Sequence, residues 1–170
     1  GDGKRELLLP QKNFLRAVVL KQDAGLQSST NKPGWVFQVK DQINGAASNS
    51  RLVGATAIPR AGSAVPSLFI LDAERKSLTL CERDAAGVWQ VIKNTSLPVW
   101  DFNVLQPVAF GAPAPNTVAL LGANAIGWMP LAGDVWDFTV LDGYETPIKD
   151  GYLNDMITGD LDSDGRKDVV

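Results

Sequence analysis

Four acidic residues near the end of the sequence have the spacing of a cation-binding loop. With Asp160 as position 1, carboxylates stand at positions 1, 3, 5 and 9, which are Asp160, Asp162, Asp164 and Asp168, and Gly165 stands at position 6. Ca²⁺ binds about 6–8 oxygen atoms, and tight loops supply them from alternate residues. Glycine tolerates the positive φ that a sharp turn needs. The spacing therefore predicts a Ca²⁺ site.

The backbone carbonyl of Arg166, at position 7, is expected to complete this ligand set, because position 7 of calcium loops supplies a main-chain oxygen. The alternative interpretation is a solvated acidic turn, since Asp, Ser and Gly are common turn residues. The loop differs from an EF-hand, whose bidentate Glu stands at position 12, because the run becomes β-branched at Val169.

The elements around this loop recur along the chain. Apolar runs that resemble one another begin near Leu7, Leu68, Val118 and Val169, with steps of 61, 50 and 51 residues. A repeat of about this length is typical of propeller blades and other repeat architectures.

Each unit contains four short apolar runs separated by turn residues. The second runs are 14–22, 76–83 and 125–131. The third runs begin at Trp35, Trp89 and Trp136. The fourth runs are 52–58, 105–110 and 152–158. Val, Ile, Leu, Phe and Thr broken by Gly, Asn, Asp and Pro indicate strands and turns. No stretch keeps a 3.6-residue period with helix caps, so we predict an all-β chain.

The preferred architecture is a β-propeller with blades of four antiparallel strands, in about three blades plus the start of another. The chain is treated as one unit, 1–170, with approximate repeats 1–50, 51–101, 102–150 and 151–170. A β-sandwich and a β-solenoid are the alternatives. Since propellers have about 4–8 blades, we expect the rest of a longer chain or other copies to complete the ring.

The run from Gly159 to Val170 resembles the FG-GAP/VCBS repeat found in integrin α-subunits and many secreted bacterial proteins. The first residues, 1–9, resemble the second half of the same loop, and 110–116 contains the family's FG and GAP words. The resemblance implies a calcium loop that joins the first two strands of a blade. The two middle loops, 59–66 and 110–116, contain no acid, so no calcium is expected there.

Composition excludes several classes of function. The 170 residues include no histidine and one cysteine, Cys81, with a net charge of −3. A Ser-His-Asp or Cys-His mechanism within this chain and an internal disulfide are therefore impossible. Neither a basic patch for nucleic acid nor an apolar run of about 20 residues for membrane insertion is present. Cys81 lies in a strand-like run and is expected to be a buried packing residue.

The aromatic residues fall into two groups. Trp35, Trp89 and Trp136 recur at one place in the repeat, which predicts packing between blades. Trp100, Trp128 and Tyr144 lie outside that register and are candidate ligand contacts, although burial in the core is the favoured interpretation of both tryptophans.

These observations favour a calcium-stabilised recognition module that is secreted, periplasmic or on the cell surface and binds a glycan or an extracellular protein. One alternative is part of a secreted polysaccharide-degrading enzyme, for which the candidate carboxylate pairs are Asp134/Asp137, Asp142/Glu145 and Asp150/Asp155. Another alternative is a structural spacer in a surface layer.

Overall fold

A computed structural model describes residues 5–27, 33–60, 63–98, 101–109, 116–131, 142–149 and 151–170. These residues contain thirteen strands and no helix, which confirms the all-β prediction. The strands are β1 (Leu7–Pro10), β2 (Phe14–Gln27), β3 (Pro33–Asn44), β4 (Leu52–Ile58), β5 (Ser67–Asp72), β6 (Ser77–Arg83), β7 (Trp89–Ser96), β8 (Phe102–Val108), β9 (Thr117–Gly122), β10 (Ala125–Pro130), β11 (Asp142–Glu145), β12 (Thr158–Gly159) and β13 (Asp168–Val169).

The strands form three antiparallel sheets and one short hairpin. The first sheet has the order β1-β2-β3, the second β4-β5-β6-β7, and the third runs from β8 through β9 and β10 to β11. Strands β12 and β13 pair only with each other among the described residues. Neighbours in each sheet are also neighbours in sequence, because tight turns suffice to join antiparallel strands.

The first two strands of the second and third sheets pair in the same way. Leu52 pairs with Asp72, and fifty positions later Phe102 pairs with Gly122. Each first strand has its bulge directly after that pair. Eight residues separate the first two strands in both sheets, 59–66 and 109–116, and eight residues, 160–167, also separate β12 from β13.

The sheets pack face to face, with the second sheet between the first and the third. Alternate residues of a strand point to opposite faces, and β5 shows both faces in use. Phe69 and Leu71 join a core cluster with the third sheet, whereas Leu68 and Ile70 join a cluster with Leu15 of the first sheet. All six residues of β5 are buried for this reason, and so are all six of β9.

Some predicted strands differ from the structure. The fourth run of the last unit was predicted over 152–158, but within 151–159 only Thr158 and Gly159 form a strand. A strand needs a ladder partner, and here the partner is the short β13, to which Ile157 and Val170 add one pair of backbone hydrogen bonds of 3.0 Å each. The third run of the third unit, around Trp136, lies outside the described residues, and the outer strand of that sheet is β11.

The three recurring tryptophans do not share one environment. Trp89 is half-buried and packs against the cluster between the first and second sheets, as predicted. Trp35 is 60% exposed, so the packing prediction is wrong for this residue. Trp35 pairs with Gln22, in the part of the β2–β3 hairpin that extends beyond the residues paired with β1, whereas Trp89 faces the first sheet. Trp136 lies outside the described residues.

Candidate metal site and surface sites

The acidic loop, 160–167, is closed at its base by β12 and β13. Gly159 pairs with Asp168, so positions 1 and 9 of the predicted loop lie where the hairpin begins and ends. Gly165 has φ +85° and Ser163 has φ +62°. The positive φ predicted at position 6 is therefore present, and a second residue of the loop shares the left-handed conformation.

Three of the predicted carboxylate ligands converge. One oxygen from each of Asp160, Asp162 and Asp168 lies within 4.8 Å of the others. Two oxygens that share one Ca²⁺ at about 2.3–2.6 Å cannot be more than about 5 Å apart. The spacing therefore fits a single ion. The residues present fit the predicted metal, and Asp160 and Asp162 are open to solvent.

Backbone hydrogen bonds hold these carboxylates in place. The Leu161 N–H donates to Asp168 Oδ2 at 2.9 Å, and the Gly165 N–H donates to Asp160 Oδ2 at 3.0 Å. The Asp164 N–H donates to Asp162 Oδ1 at 3.1 Å. Each carboxylate thus accepts a backbone hydrogen bond that orders the loop.

Asp164 lies outside this group of three. Its Oδ1 accepts a 2.7 Å hydrogen bond from the Arg166 N–H, which orders the turn locally. The sequence predicts Asp164 and the Arg166 carbonyl as the remaining protein ligands, and this assignment stays a prediction. Nearby carboxylates that lack a counter-ion repel one another. A bound cation would remove this repulsion and would therefore stabilise the hairpin.

Two of the three candidate ligand contacts lie together. Trp128 on β10 pairs with Asp142, and Tyr144 on β11 pairs with Ile126. Because residues two apart share a face, Trp128 and Tyr144 lie diagonally on one face of the third sheet. Trp128 is half-buried and Tyr144 is 53% exposed. Their neighbours on this face, Ala119 and Leu121, are buried in a cluster with Met156, so the face is open to solvent only at its outer part, around Tyr144. Trp100 lies outside the described residues.

The candidate catalytic carboxylates do not form a facing pair in the part that the structure describes. Asp142 and Glu145 are three positions apart on β11, which places them on opposite faces. Glu145 accepts a 3.0 Å hydrogen bond from the Asn124 side chain. Asp134, Asp137 and Asp150 lie outside the described residues, so the other two pairs have no described geometry.

A cleft of about 560 Å³ between the first and second sheets was not predicted. Its floor is apolar, with Leu8, Leu68 and Trp89, and residues 64–66 form one wall. These residues come from separate strands and have no common motif. Only their convergence in the fold reveals the cleft.

Paired charges form the other wall of the cleft. Lys40 Nζ lies 2.5 Å from Glu6 Oε1, and Arg83 Nη2 lies 2.5 Å from Asp41 Oδ2 and 4.0 Å from Glu6 Oε2. The Arg83 guanidinium also lies over the Trp89 ring, 4.3 Å from its centre. The wall thus contains two cations and two carboxylates, so its charges balance. The ion pair of Arg83 with Asp41 connects the second sheet to the first.

Two groups have perturbed acidity. Burial raises the pKa of the Cys81 thiol to about 11, because the charged thiolate loses its hydration. Cys81 is fully buried, which confirms the predicted packing role. Hydrogen bonds hold the pKa of Asp84 below its usual value, first from the Val88 N–H and then from the Gln90 side chain. Asp84 orders the turn that contains Gly87 at φ +79°.

The described residues contain no helix that is long and apolar enough to cross a membrane. No family model matches the chain, and no curated protein matches its sequence. The fold and the site define an all-β protein of antiparallel three- and four-stranded sheets with an acidic cluster that could hold a metal ion. The resemblance to FG-GAP/VCBS repeats stays a prediction.

Proposed function

We propose that this chain is a calcium-stabilised segment of a β-propeller that works outside the cytoplasm as a recognition module. The observation that supports the proposal most directly is the convergence of Asp160, Asp162 and Asp168 within 4.8 Å in a loop closed by two paired strands. Calcium at this site is structural, because it fixes the loop that joins β12 to β13.

The propeller part of the proposal is supported by the repeated pairing. The second and third sheets share strand order, and their first two strands share register and bulge position. Strand β8 lies directly against β4. Four-stranded antiparallel sheets that pack face to face in chain order are the building unit of propellers. The acidic loop has the same number of residues as 59–66 and 109–116, which supports an equivalent position for it in a further blade.

Recognition is assigned to the exposed aromatic face of the third sheet. Trp128 and Tyr144 lie diagonally on that face and present ring surface beside a carboxylate, Asp142. Aromatic rings combine a large apolar area with a polar end, which suits a glycan or a protein surface. Calcium outside the cell is concentrated enough to fill weak sites whose dissociation constants are about 10⁻⁴–10⁻³ M. A secreted, periplasmic or cell-surface location therefore suits this module.

Calorimetric titration of the metal-stripped chain with CaCl₂ tests the metal site. We expect one site with a dissociation constant of about 0.1–1 mM, and loss of that site in Asp162→Asn. Asp142→Asn, which changes an exposed carboxylate outside the loop, should bind as the unchanged chain does. No heat of binding in the unchanged chain, or equal binding in both variants, would show that the loop is an ordinary acidic turn.

A glycan array read in CaCl₂ tests the recognition surface. Binding should fall in Trp128→Ala and in Tyr144→Ala and persist in Phe37→Ala, since Phe37 is exposed on β3 of the first sheet. Binding that is equal in all three variants would place the ligand elsewhere. Release of sugar product would instead support the enzyme alternative.

A further inference from the structure

The chain leaves the first and third sheets through matching segments, 45–52 and 146–153. In each segment, the N–H groups of the first and last residues donate to backbone carbonyls of one turn, at 2.7–3.2 Å. That turn is 11–13, between β1 and β2, for the first segment and 123–124, between β9 and β10, for the second. The two segments have equal length and equivalent anchors, so their residues correspond one to one.

A hydroxyl group holds the turn inside each segment, but it comes from opposite positions. After the first sheet, the Ala47 N–H donates to the Ser50 Oγ at 3.1 Å, and Ser50 is fully buried. After the third sheet, the corresponding Ile148 N–H donates to the Thr146 Oγ1 at 3.2 Å. Gly151 stands at the position of Ser50, so the segment after the third sheet has no side chain there.

A pocket of about 360 Å³ lies beside Gly151, between this segment and the turn on which the segment docks. Its volume falls within the range of small-molecule sites, about 300–1,000 Å³. Asn124, Glu145 and Lys149 line it with amide and charged groups, and Tyr152 contributes an aromatic ring. The pocket therefore combines hydrogen-bonding groups with apolar ring surface at one end of the third sheet.

The exposure of Tyr152 belongs to this position in the fold. Arg51 holds the same position after the first sheet, and it is exposed although the second sheet follows directly. The second sheet meets the main chain there, since the Arg51 N–H donates to Asp72 Oδ1 and the Arg51 carbonyl accepts from the Ala73 N–H. A sheet that followed the third one would meet the main chain of Tyr152 in the same way and leave its side chain open.

The polar groups of the pocket suit a ligand that carries neighbouring hydroxyl groups. The Asn124 Nδ2 donates to Glu145 Oε1 at 3.0 Å, which joins an amide to a carboxylate. The amide has a further N–H and a carbonyl oxygen, and a carboxylate can accept several hydrogen bonds. Hydroxyl groups both donate and accept, so they match this mixture. The opposite charges of Glu145 and Lys149 favour a ligand without net charge.

We propose that this pocket binds one neutral sugar unit of a glycan. Neighbouring hydroxyl groups of the sugar bond to Asn124 and Glu145, and the C–H face of its ring packs against Tyr152. Tyr152 is 73% exposed and Ile148 in the same pocket is 68% exposed, so covering this apolar surface favours binding. The proposal rests on the recognition role proposed above and adds a site separate from the face that contains Trp128.

Nitration by tetranitromethane reads this site directly, because Tyr144 and Tyr152 are the two tyrosines of the chain and both are exposed. The full chain is treated in CaCl₂ with glucose, galactose, mannose or N-acetylglucosamine at about 100 mM. This concentration exceeds the dissociation constant of about 1–10 mM expected for a weak single-sugar site. Mass spectrometry gives the rate at each tyrosine. At least one sugar should slow nitration of Tyr152 about five-fold and leave that of Tyr144 unchanged.

Matched variants locate the sugar. Gly151→Ser gives the segment after the third sheet the side chain that the first segment has at this position. Gly151 has no positive φ, and the added Cβ would lie 3.3 Å from the exposed side chain of Ile148, which can shift. This variant should lose the protection of Tyr152 and keep its melting temperature. Glu145→Ala should weaken binding about ten-fold, whereas Trp128→Ala should keep the protection, because Trp128 does not line the pocket.

The outcomes separate this pocket from the other sites. Slower nitration of Tyr144 alone would place the sugar on the face with Trp128, which supports the proposed function and overturns the pocket. Protection of neither tyrosine, or of both equally, would also overturn the pocket. If glucuronate protects Tyr152 and the neutral sugars do not, the ligand is an anion held by Lys149 and the neutral class is wrong. The calcium titration is a separate measurement, so none of these results changes the conclusion on the metal loop.

Discussion

Gly54 and Leu105 bring β4 and β8 into close contact: a Cβ on Gly54 would lie 2.8 Å from the Leu105 Cβ and 3.3 Å from its backbone nitrogen. The first strands of the second and third sheets therefore approach at a residue that has no side chain. Ile58, Phe69 and Leu105 belong to the cluster that fills the space between these sheets. The contact fixes the spacing of two sheets that share one pairing pattern.

Gly54→Ala should lower the free energy of unfolding by about 1–3 kcal/mol, because the added methyl group overpacks a core that cannot easily expand. Urea denaturation at pH 7 measures this change. Gly159→Ala is the control, since no atom lies within 4 Å of its added Cβ. Equal stability of the two variants would mean that β4 and β8 separate easily.

Gly165→Ala should weaken calcium binding. Its φ of +85° costs a residue with a Cβ about 1–2 kcal/mol, and its N–H donates to Asp160 Oδ2. We expect a dissociation constant for Ca²⁺ that is about ten-fold higher by calorimetry, with Gly159→Ala again as the control. An unchanged constant would indicate that the turn at position 6 does not position the ligands.

Because of Cys81, the free energy of unfolding should depend on pH in the alkaline range. The folded-state pKa of about 11 lies above the unfolded value, 9.0, so the folded chain binds the proton more tightly. This contribution is complete below pH 9 and is lost as pH rises toward 11. Between pH 8 and pH 11, the free energy of unfolding of the unchanged chain should fall by about 2 kcal/mol more than that of Cys81→Ala. If the free energies of unfolding of the two chains differ by the same amount at every pH, the conclusion that Cys81 is buried and protonated is wrong.

Asp84 makes the β6–β7 turn sensitive to acid. Its folded-state pKa is lowered, chiefly by the Val88 N–H, so its contribution is present above the unfolded pKa and lost as pH falls through the folded value. Asp84→Asn should lower the melting temperature at pH 7 and have a smaller effect at pH 2. Asp142→Asn serves as the control. An equal effect of Asp84→Asn at both pH values would show that the carboxylate charge is unimportant.

Local sequence determined the class of fold and the position of the candidate metal loop. Short apolar runs broken by turn residues predicted all-β structure, because strand and turn preferences act over a few residues. β4 spans the predicted 52–58. Three of the four predicted acids, Asp160, Asp162 and Asp168, converge, because they lie within nine consecutive positions of one closed loop. β8 begins three residues before the predicted run at 105, since its start depends on pairing with Gly122.

Tertiary structure decided what depends on contacts between sheets. Trp35 and Trp89 follow similar sequence signals, yet Trp35 is exposed, whereas Trp89 packs beneath Arg83 and against the cluster between the first and second sheets. The cleft joins Leu8, Leu68 and Trp89 from three strands, and no local pattern specifies which strands meet. Leu7 is as apolar as Leu68, but only Leu68 is enclosed on both sides. Side-chain burial is a property of neighbours in space, whereas strand formation and loop acidity are properties of neighbours in sequence.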